Sequence, residues 1–168
     1  MNDYREFYTQ LLAWFKLDVE TSSGLIIPEK VKEHQTRVGD YAFDIAHKLG
    51  KSVEVCWQCW LIGNLHDWVE DCNDTDKDRA LRAVEKIITQ RSNANVGGLV
   101  RAALWCLTKQ KGISYETYMD YILKRCDNTV GDVVFIVKQA DYKDHFTQVE
   151  TLTPKLMKKY ASYVQYFL

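Results

Sequence analysis

The sequence predicts an all-α fold, a single helical bundle, on three observations. Apolar residues recur at helical spacing through most of the chain, and only one run is β-branched enough to suggest a strand. The two prolines, Pro28 and Pro154, both stand just ahead of patterned segments, where a first-turn helix residue belongs. A length of 168 residues suits one domain around one core, here 1–168 with its chemistry within about 28–146.

The elements follow in order. Phe7, Leu11, Leu12 and Phe15 share one face of a first helix expected over about Asp3 to Lys16, and Thr21-Ser22-Ser23-Gly24 reads as a loop. A second helix starts near Pro28 and carries the stripe Val31, Val38, Tyr41, Ala42, Ile45 and Leu49, with Gly50 as its stop. The third, about Ser52 to Glu70, is apolar almost all round, from Cys56 and Trp57 to Leu65, which places it centrally. The polar stretch Asp71 to Thr75 breaks it. A surface helix follows over about Asp76 to Arg91, then helices over about Val96 to Leu107 and Ser114 to Cys126. Ser114 with Thr117 makes a partial cap for the latter, and Glu116 adds favourable first-turn charge.

Val133-Val134-Phe135-Ile136-Val137 could be a strand. Helix is preferred over about Val130 to Phe146, because Val133, Val137, Ala140, Asp141 and Asp144 fall on one helical face and no second strand exists to pair with it. A last helix, Pro154 to Phe167, docks on the core through Leu156, Tyr160, Tyr163 and Val164.

The formal net charge of −1 excludes the broad basic field of a non-specific nucleic-acid binder. No apolar run approaches a membrane span, no secretory leader is visible, and five cysteines form no disulfide framework. The expectation is a cytoplasmic protein with a small-molecule partner, no membrane and no stable nucleic acid; self-association stays open. Cys56-x-x-Cys59 lies mid-helix among tryptophans without a second cysteine pair, so it reads as core packing rather than a zinc or redox motif.

The chemistry concentrates in Leu65-His66-Asp67-Trp68-Val69-Glu70-Asp71. An adjacent His and Asp offer one imidazole nitrogen and one carboxylate oxygen, a set suited to Mn²⁺, Fe²⁺, Zn²⁺ or Mg²⁺. Behind the most apolar helix, two ionisable groups are costly unless a cation compensates them. His34 interrupts the stripe of the second helix, and Asp141 extends the Val133–Val137 stripe. Three helices would thus aim His34, His66, Asp67 and Asp141 at one buried place, leaving positions open for water and a phosphate oxygen. Glu70, four residues beyond His66, should lie on the same side one turn on, with Asp71 at the helix end. Taken singly, a histidine in an apolar stripe is more often a hydrogen-bonded core residue, and acidic residues at a helix end are more often solvated. The ordered set is what points to a site.

This order resembles the HD superfamily of metal-dependent phosphohydrolases, whose signature is a His, a His-Asp pair and a distant Asp. His66 to Asp71 is similar to the HDxxED segment of (p)ppGpp hydrolases, the small alarmone hydrolases included. Leu107-Thr108-Lys109 and Val137-Lys138-Gln139-Ala140-Asp141 are similar to that group's later TK and K-x-A-D segments. The resemblance spans roughly His34 to His145 and is nearest to the small stand-alone HD proteins of bacteria and phages. It implies a hydrolase binding one divalent cation, Mn²⁺ first, with Fe²⁺, Zn²⁺, Co²⁺ or Mg²⁺ as alternatives. By the same resemblance Glu70 and Asp71 orient or deprotonate the attacking water and Lys138 lies near substrate phosphates; Lys109, Asp144, His145 and Arg37 are further substrate-side candidates.

Two departures fall on the nucleoside side. The run Ser23 to Lys30 does not reproduce the basic loop that precedes the first His in the alarmone hydrolases, and His145 stands where their Asn is expected. The substrate implied is therefore a nucleotide phosphate ester or anhydride, (p)ppGpp-like first. A nucleotidase, a dNTP triphosphohydrolase or a cyclic-nucleotide phosphodiesterase of the same fold is the enzymatic alternative, and a non-catalytic metal- and nucleotide-binding module is the other.

Overall fold

A computed structural model describes residues 2–23, 29–72, 76–124, 129–148 and 152–167. Helix is their only regular secondary structure, with no strand among them: α1 (Asn2–Ser23), α2 (Glu29–Lys48), α3 (Val53–Leu65), α4 (Trp68–Asp71), α5 (Lys77–Arg91), α6 (Ala94–Leu107), α7 (Tyr115–Lys124), α8 (Thr129–Thr147) and α9 (Pro154–Ala161), then a 3-10 turn at Val164–Tyr166. None of the described helices is long and apolar enough to cross a membrane.

The apolar α3 is the axis of the bundle and packs against α1, α2, α6 and α8. Cys56, Cys59, Leu61, Ile62 and Leu65 on it are almost fully buried. Both cysteines are free, and burial pushes the Cys59 thiol up to about 12, which suits inert packing rather than metal binding. Cys126 lies outside the described residues. The run Val133–Val137 is helical within α8 and almost entirely buried, as its shared face with Asp141 requires.

Local capping sets the boundaries. Ser52 Oγ accepts from Val55 N–H at 3.3 Å to start α3, Asp76 caps α5 through Arg79 N–H at 3.0 Å, and Ser114 Oγ accepts from Thr117 N–H at 3.0 Å to start α7. Gly50 ends α2 at φ 68°, with Lys51 N–H on Ala46 O at 3.1 Å and Gly50 N–H on His47 O at 3.0 Å, the paired bonds of a Schellman stop. A Cβ at Gly50 would meet nothing within 4 Å, so only the left-handed backbone resists a side chain. Gly50→Ala is expected to cost about 1 kcal/mol, a melting temperature lower by about 2–4 °C. An unchanged melt would mean that the stop is not held in this conformation.

Three expectations are corrected. The first helix does not end near Lys16 but continues to Ser23, because Val19, one turn beyond Phe15, is buried with it and extends the core-facing stripe. The loop expected at Thr21–Ser23 is therefore helical; Gly24 and Pro28 lie outside the described residues. The long third helix stops at Leu65 and resumes as the single turn α4. The His66 ring donates its Nδ1 hydrogen to Gly63 O at 2.8 Å, and Asp67 takes φ −94°, ψ −5° instead of continuing the helix. The last helix ends at Ala161 rather than Phe167, and the chain then turns to bury Phe167 against Phe135 and Tyr142, at centroid distances of 5.2 and 4.6 Å.

Candidate metal centre

The sequence scatters its ionisable candidates over more than a hundred residues, and helix packing gathers them. α2 lies against both α3 and α8, so His34 of α2 faces Asp141 of α8 and the His66-Asp67 break that follows α3. His34 Nε2 stands 3.5 Å from Asp67 Oδ2 and 3.4 Å from Asp141 Oδ1. His66 Nε2 stands 3.1 Å from Asp67 Oδ2 and 3.7 Å from Asp141 Oδ1. His34, His66 and Asp67 thus form one three-donor group, and Asp141 lies within 3.7 Å of both histidines.

Whether that focus suits a cation is decided by the imidazoles. His66 spends Nδ1–H on Gly63 O, and His34 points Nδ1 at Asp144 Oδ2 at 2.8 Å. Each ring then presents Nε2 inward, and both Nε2 atoms are buried without a hydrogen-bond partner. Orphaned buried nitrogens are costly, and two aimed at two carboxylates call for a positive charge between them. Ligand atoms about 2.1 Å from one ion lie about 3.0 Å apart in octahedral and about 3.4 Å apart in tetrahedral arrangements. The four separations above, 3.1 to 3.7 Å, span the tetrahedral value and lie somewhat above the octahedral one. Two imidazoles and two carboxylates fit Mn²⁺, Fe²⁺ or Zn²⁺ by donor type.

Without a metal, the two rings supply that charge themselves, as protons. Burial favours a neutral His34 ring, yet Asp141, Asp144 and Asp67 push it up to about 11. His66 is likewise carried to about 10 against burial, by Asp67 and Asp141. Burial opposes ionisation of the two aspartates; His66 and His34 nevertheless hold Asp67 below the usual carboxylate range, and Lys138 with the histidines holds Asp141 well below it. Without metal, the raised histidines stabilise the fold fully below about pH 6.5, and that contribution is lost as pH climbs through about 10 to 11. The lowered aspartates contribute above about 3.8 and lose their part as pH falls. The metal-free melting temperature should therefore drop between pH 6.5 and 10. Metal affinity should rise over the same interval, with protons released on binding, as calorimetry in buffers of different ionisation enthalpy would record. A metal-free melt that rises with pH would contradict this electrostatic picture.

The substrate-side candidates divide. Asp144 is buried and takes the His34 ring on Oδ2 and the Arg37 guanidinium on both oxygens, at 2.7 and 3.1 Å. Asp144 and Arg37 are therefore a positioning pair that fixes the tautomer of His34. His145 stands beside the candidate donors: its Nε2 is 3.2 Å from Asp141 Oδ1, and His34, Asp141 and His145 form a second three-donor group that could hold a cation. Lys138 is buried with Nζ 2.7 Å from Asp141 Oδ2, inside the site rather than on a solvated face.

Lys109 is different. Its ammonium donates to Ile113 O at 2.9 Å within its own turn, while its backbone N–H donates to Glu70 Oε1 at 2.7 Å. Glu70 is exposed and so held, and the chain break at Asp67 removes the continuous helix that would have placed it over His66. Asp71 is exposed too; partial burial, Asp67 and Glu70 raise its pKa, as suits a proton acceptor. His47 sits apart, stacked on Phe43.

Sequence reading passed over one group of residues, the tyrosines around Lys138. Its ammonium lies over the Tyr118 and Tyr142 rings, at 5.7 and 5.8 Å, and Tyr160 of α9 lies, tilted, between Tyr142 and His145 at 4.7 and 5.0 Å. The helical spacing of these residues signalled only that α9 docks. Comparison of the chain with models of protein families, with curated proteins and with solved structures finds no match.

Proposed function

We propose that this chain is a metal-dependent phosphohydrolase of the HD type, acting on a nucleotide phosphate ester or anhydride, with a (p)ppGpp-like nucleotide as the first substrate to test. The observation that carries the reading is the pair of buried, unpartnered Nε2 atoms of His34 and His66 focused with Asp67 and Asp141. His34, His66, Asp67 and Asp141 would hold the cation, with His145 as a fifth donor. When bound, it would supply a lowered pKa for water and charge neutralisation at phosphorus.

The chain's own groups do the rest. Gly63 O and Asp144 hold the two imidazoles in the tautomer that leaves Nε2 free, and Arg37 holds Asp144. As a water oxygen bonds to phosphorus, a carboxylate oxygen of Asp71 takes its proton and the bond to the leaving oxygen breaks, solvent returning a proton to that oxygen. Glu70, tied to Lys109 N–H, orients that water. Lys138 keeps Asp141 ionised and brings a buried positive charge to the developing oxyanion.

A panel of nucleotides incubated with Mn²⁺-, Mg²⁺- or Co²⁺-loaded protein tests the reading by the group released. Release of pyrophosphate from a 3′-pyrophosphorylated guanine nucleotide is the expected result. Release of orthophosphate from nucleoside monophosphates would move the substrate to the nucleotidase alternative. Stoichiometric metal with no turnover on any nucleotide would overturn the hydrolase reading and leave a binding module.

A further inference from the structure

Two ammonium groups share one tyrosine cage beside the metal centre, and only one of them has an anionic partner. Lys138 of α8 sits over Tyr118 and Tyr142 and is matched by Asp141. Lys159 of α9 sits over Tyr115 and Tyr160, at 4.6 and 5.1 Å, and no carboxylate among the described residues forms an ion pair with it. The two pairs of rings are joined: Tyr115 and Tyr142 hydroxyls are 2.9 Å apart, and the Tyr142 and Tyr160 centroids are 4.7 Å apart. Tyr160 continues through His145 to Asp141.

We infer that Lys159 is a phosphate-binding, specificity-determining residue at the mouth of this centre, selecting a dianionic phosphoryl group over a monoanionic diester. This deepens the function proposed above and rests on it. Like charges repel, and with Lys138 already matched by Asp141 an added anion chiefly relieves Lys159. Tyrosine faces hold an ammonium in place without neutralising it, so the charge stays available to a ligand. Lys159 is exposed, yet desolvation of its ammonium over the rings, and then Lys138, hold it below the ordinary lysine value, while Asp141, Glu70 and Asp67 pull the other way. A phosphoryl group with two charged oxygens can turn one toward the Lys138 side and one toward Lys159. A diester has a single charge to divide between them.

The test is calorimetric titration of the full chain, metal-loaded and metal-free, with inorganic phosphate and with dimethyl phosphate near pH 7.5. Wild type should bind inorganic phosphate at least tenfold more tightly than dimethyl phosphate. Lys159→Met should weaken inorganic phosphate at least tenfold and bring the two ligands within threefold, while Lys159→Arg stays within threefold of wild type. Lys158→Met, which removes the same charge from the next residue of α9, should change neither ligand more than twofold. Metal content and melting temperature of each variant separate lost binding from lost folding. Equal binding of both ligands by wild type, unchanged phosphate affinity in Lys159→Met, or an equal loss in Lys158→Met would each overturn the inference. A wild type that takes up no metal would defeat the proposed hydrolase instead, and the metal-free titrations would still decide Lys159.

Discussion

Asp67→Ala is expected to lose metal and turnover together while the protein remains folded. Asp67 sits at the break between α3 and α4 with its side chain 36% exposed, and among the described residues its carboxylate is ion-paired with the two histidines. Its removal opens the cluster to solvent but leaves no buried charge stranded, since His34 and His66 can fall back to neutral rings. The metal-free melting temperature should stay within about 3 °C of wild type. Metal affinity should fall by more than about 100-fold, beyond what loss of an outer-shell partner produces, and hydrolysis should fall below detection.

Asp141→Ala makes the contrast that identifies the mechanism. Asp141 is almost fully buried and is the one carboxylate that touches Lys138, His34, His66 and His145. Its loss strands the Lys138 ammonium in the core, a defect of about 3–5 kcal/mol. This variant should therefore lose both metal and stability, and Lys138→Met on top of it should recover much of the stability without recovering metal. Paired melts and metal analysis would decide the matter. Asp67→Ala retaining metal-dependent hydrolysis, or melting as low as Asp141→Ala, would be incompatible with a shared cation at this focus.

How much of this was legible in the sequence depends on the distance over which each feature is encoded. Helices with a strong apolar stripe or local caps, such as α5 with Asp76 and α7 with Ser114, follow from neighbours within four residues. The candidate ligands were legible because His34, His66 and Asp141 are polar residues on faces that must be buried, with Asp67 next to His66. The chain break at Asp67 was not, since it depends on a side chain competing for the Gly63 carbonyl. The positioning role of Asp144 and Arg37 required knowing that α2 and α8 cross 107 residues apart in sequence. Lys159 lies beyond the segment that carries the motif resemblance, and nothing local distinguishes it from Lys158. Only the fold of α9 over Tyr115 does so.

Gly63→Ala is expected to damage stability and the metal centre at once, from a position that touches no ligand atom with a side chain. α2 and α3 cross backbone to backbone at Gly39 and Gly63. A Cβ on Gly63 would lie 2.8 Å from Gly39 Cα, 3.0 Å from Gly39 N and 3.1 Å from Val38 O, all main-chain atoms that cannot rotate aside. The helices must separate, at a cost of about 3 kcal/mol. His34 rides on α2 five residues before that crossing, and His66 follows it by three and leans on Gly63 O itself. Separation therefore moves the imidazoles apart, and metal affinity should drop at least about tenfold. Gly98→Ala is the control: it is also mid-helix, a Cβ there meets nothing within 4 Å, and α6 takes no part in the ligand set. It should raise stability by about 0.5–1 kcal/mol and leave metal affinity alone. Denaturant melts with and without metal read both variants. A Gly63→Ala protein that melts and binds metal like wild type would show that the crossing does not set the spacing of the two histidines.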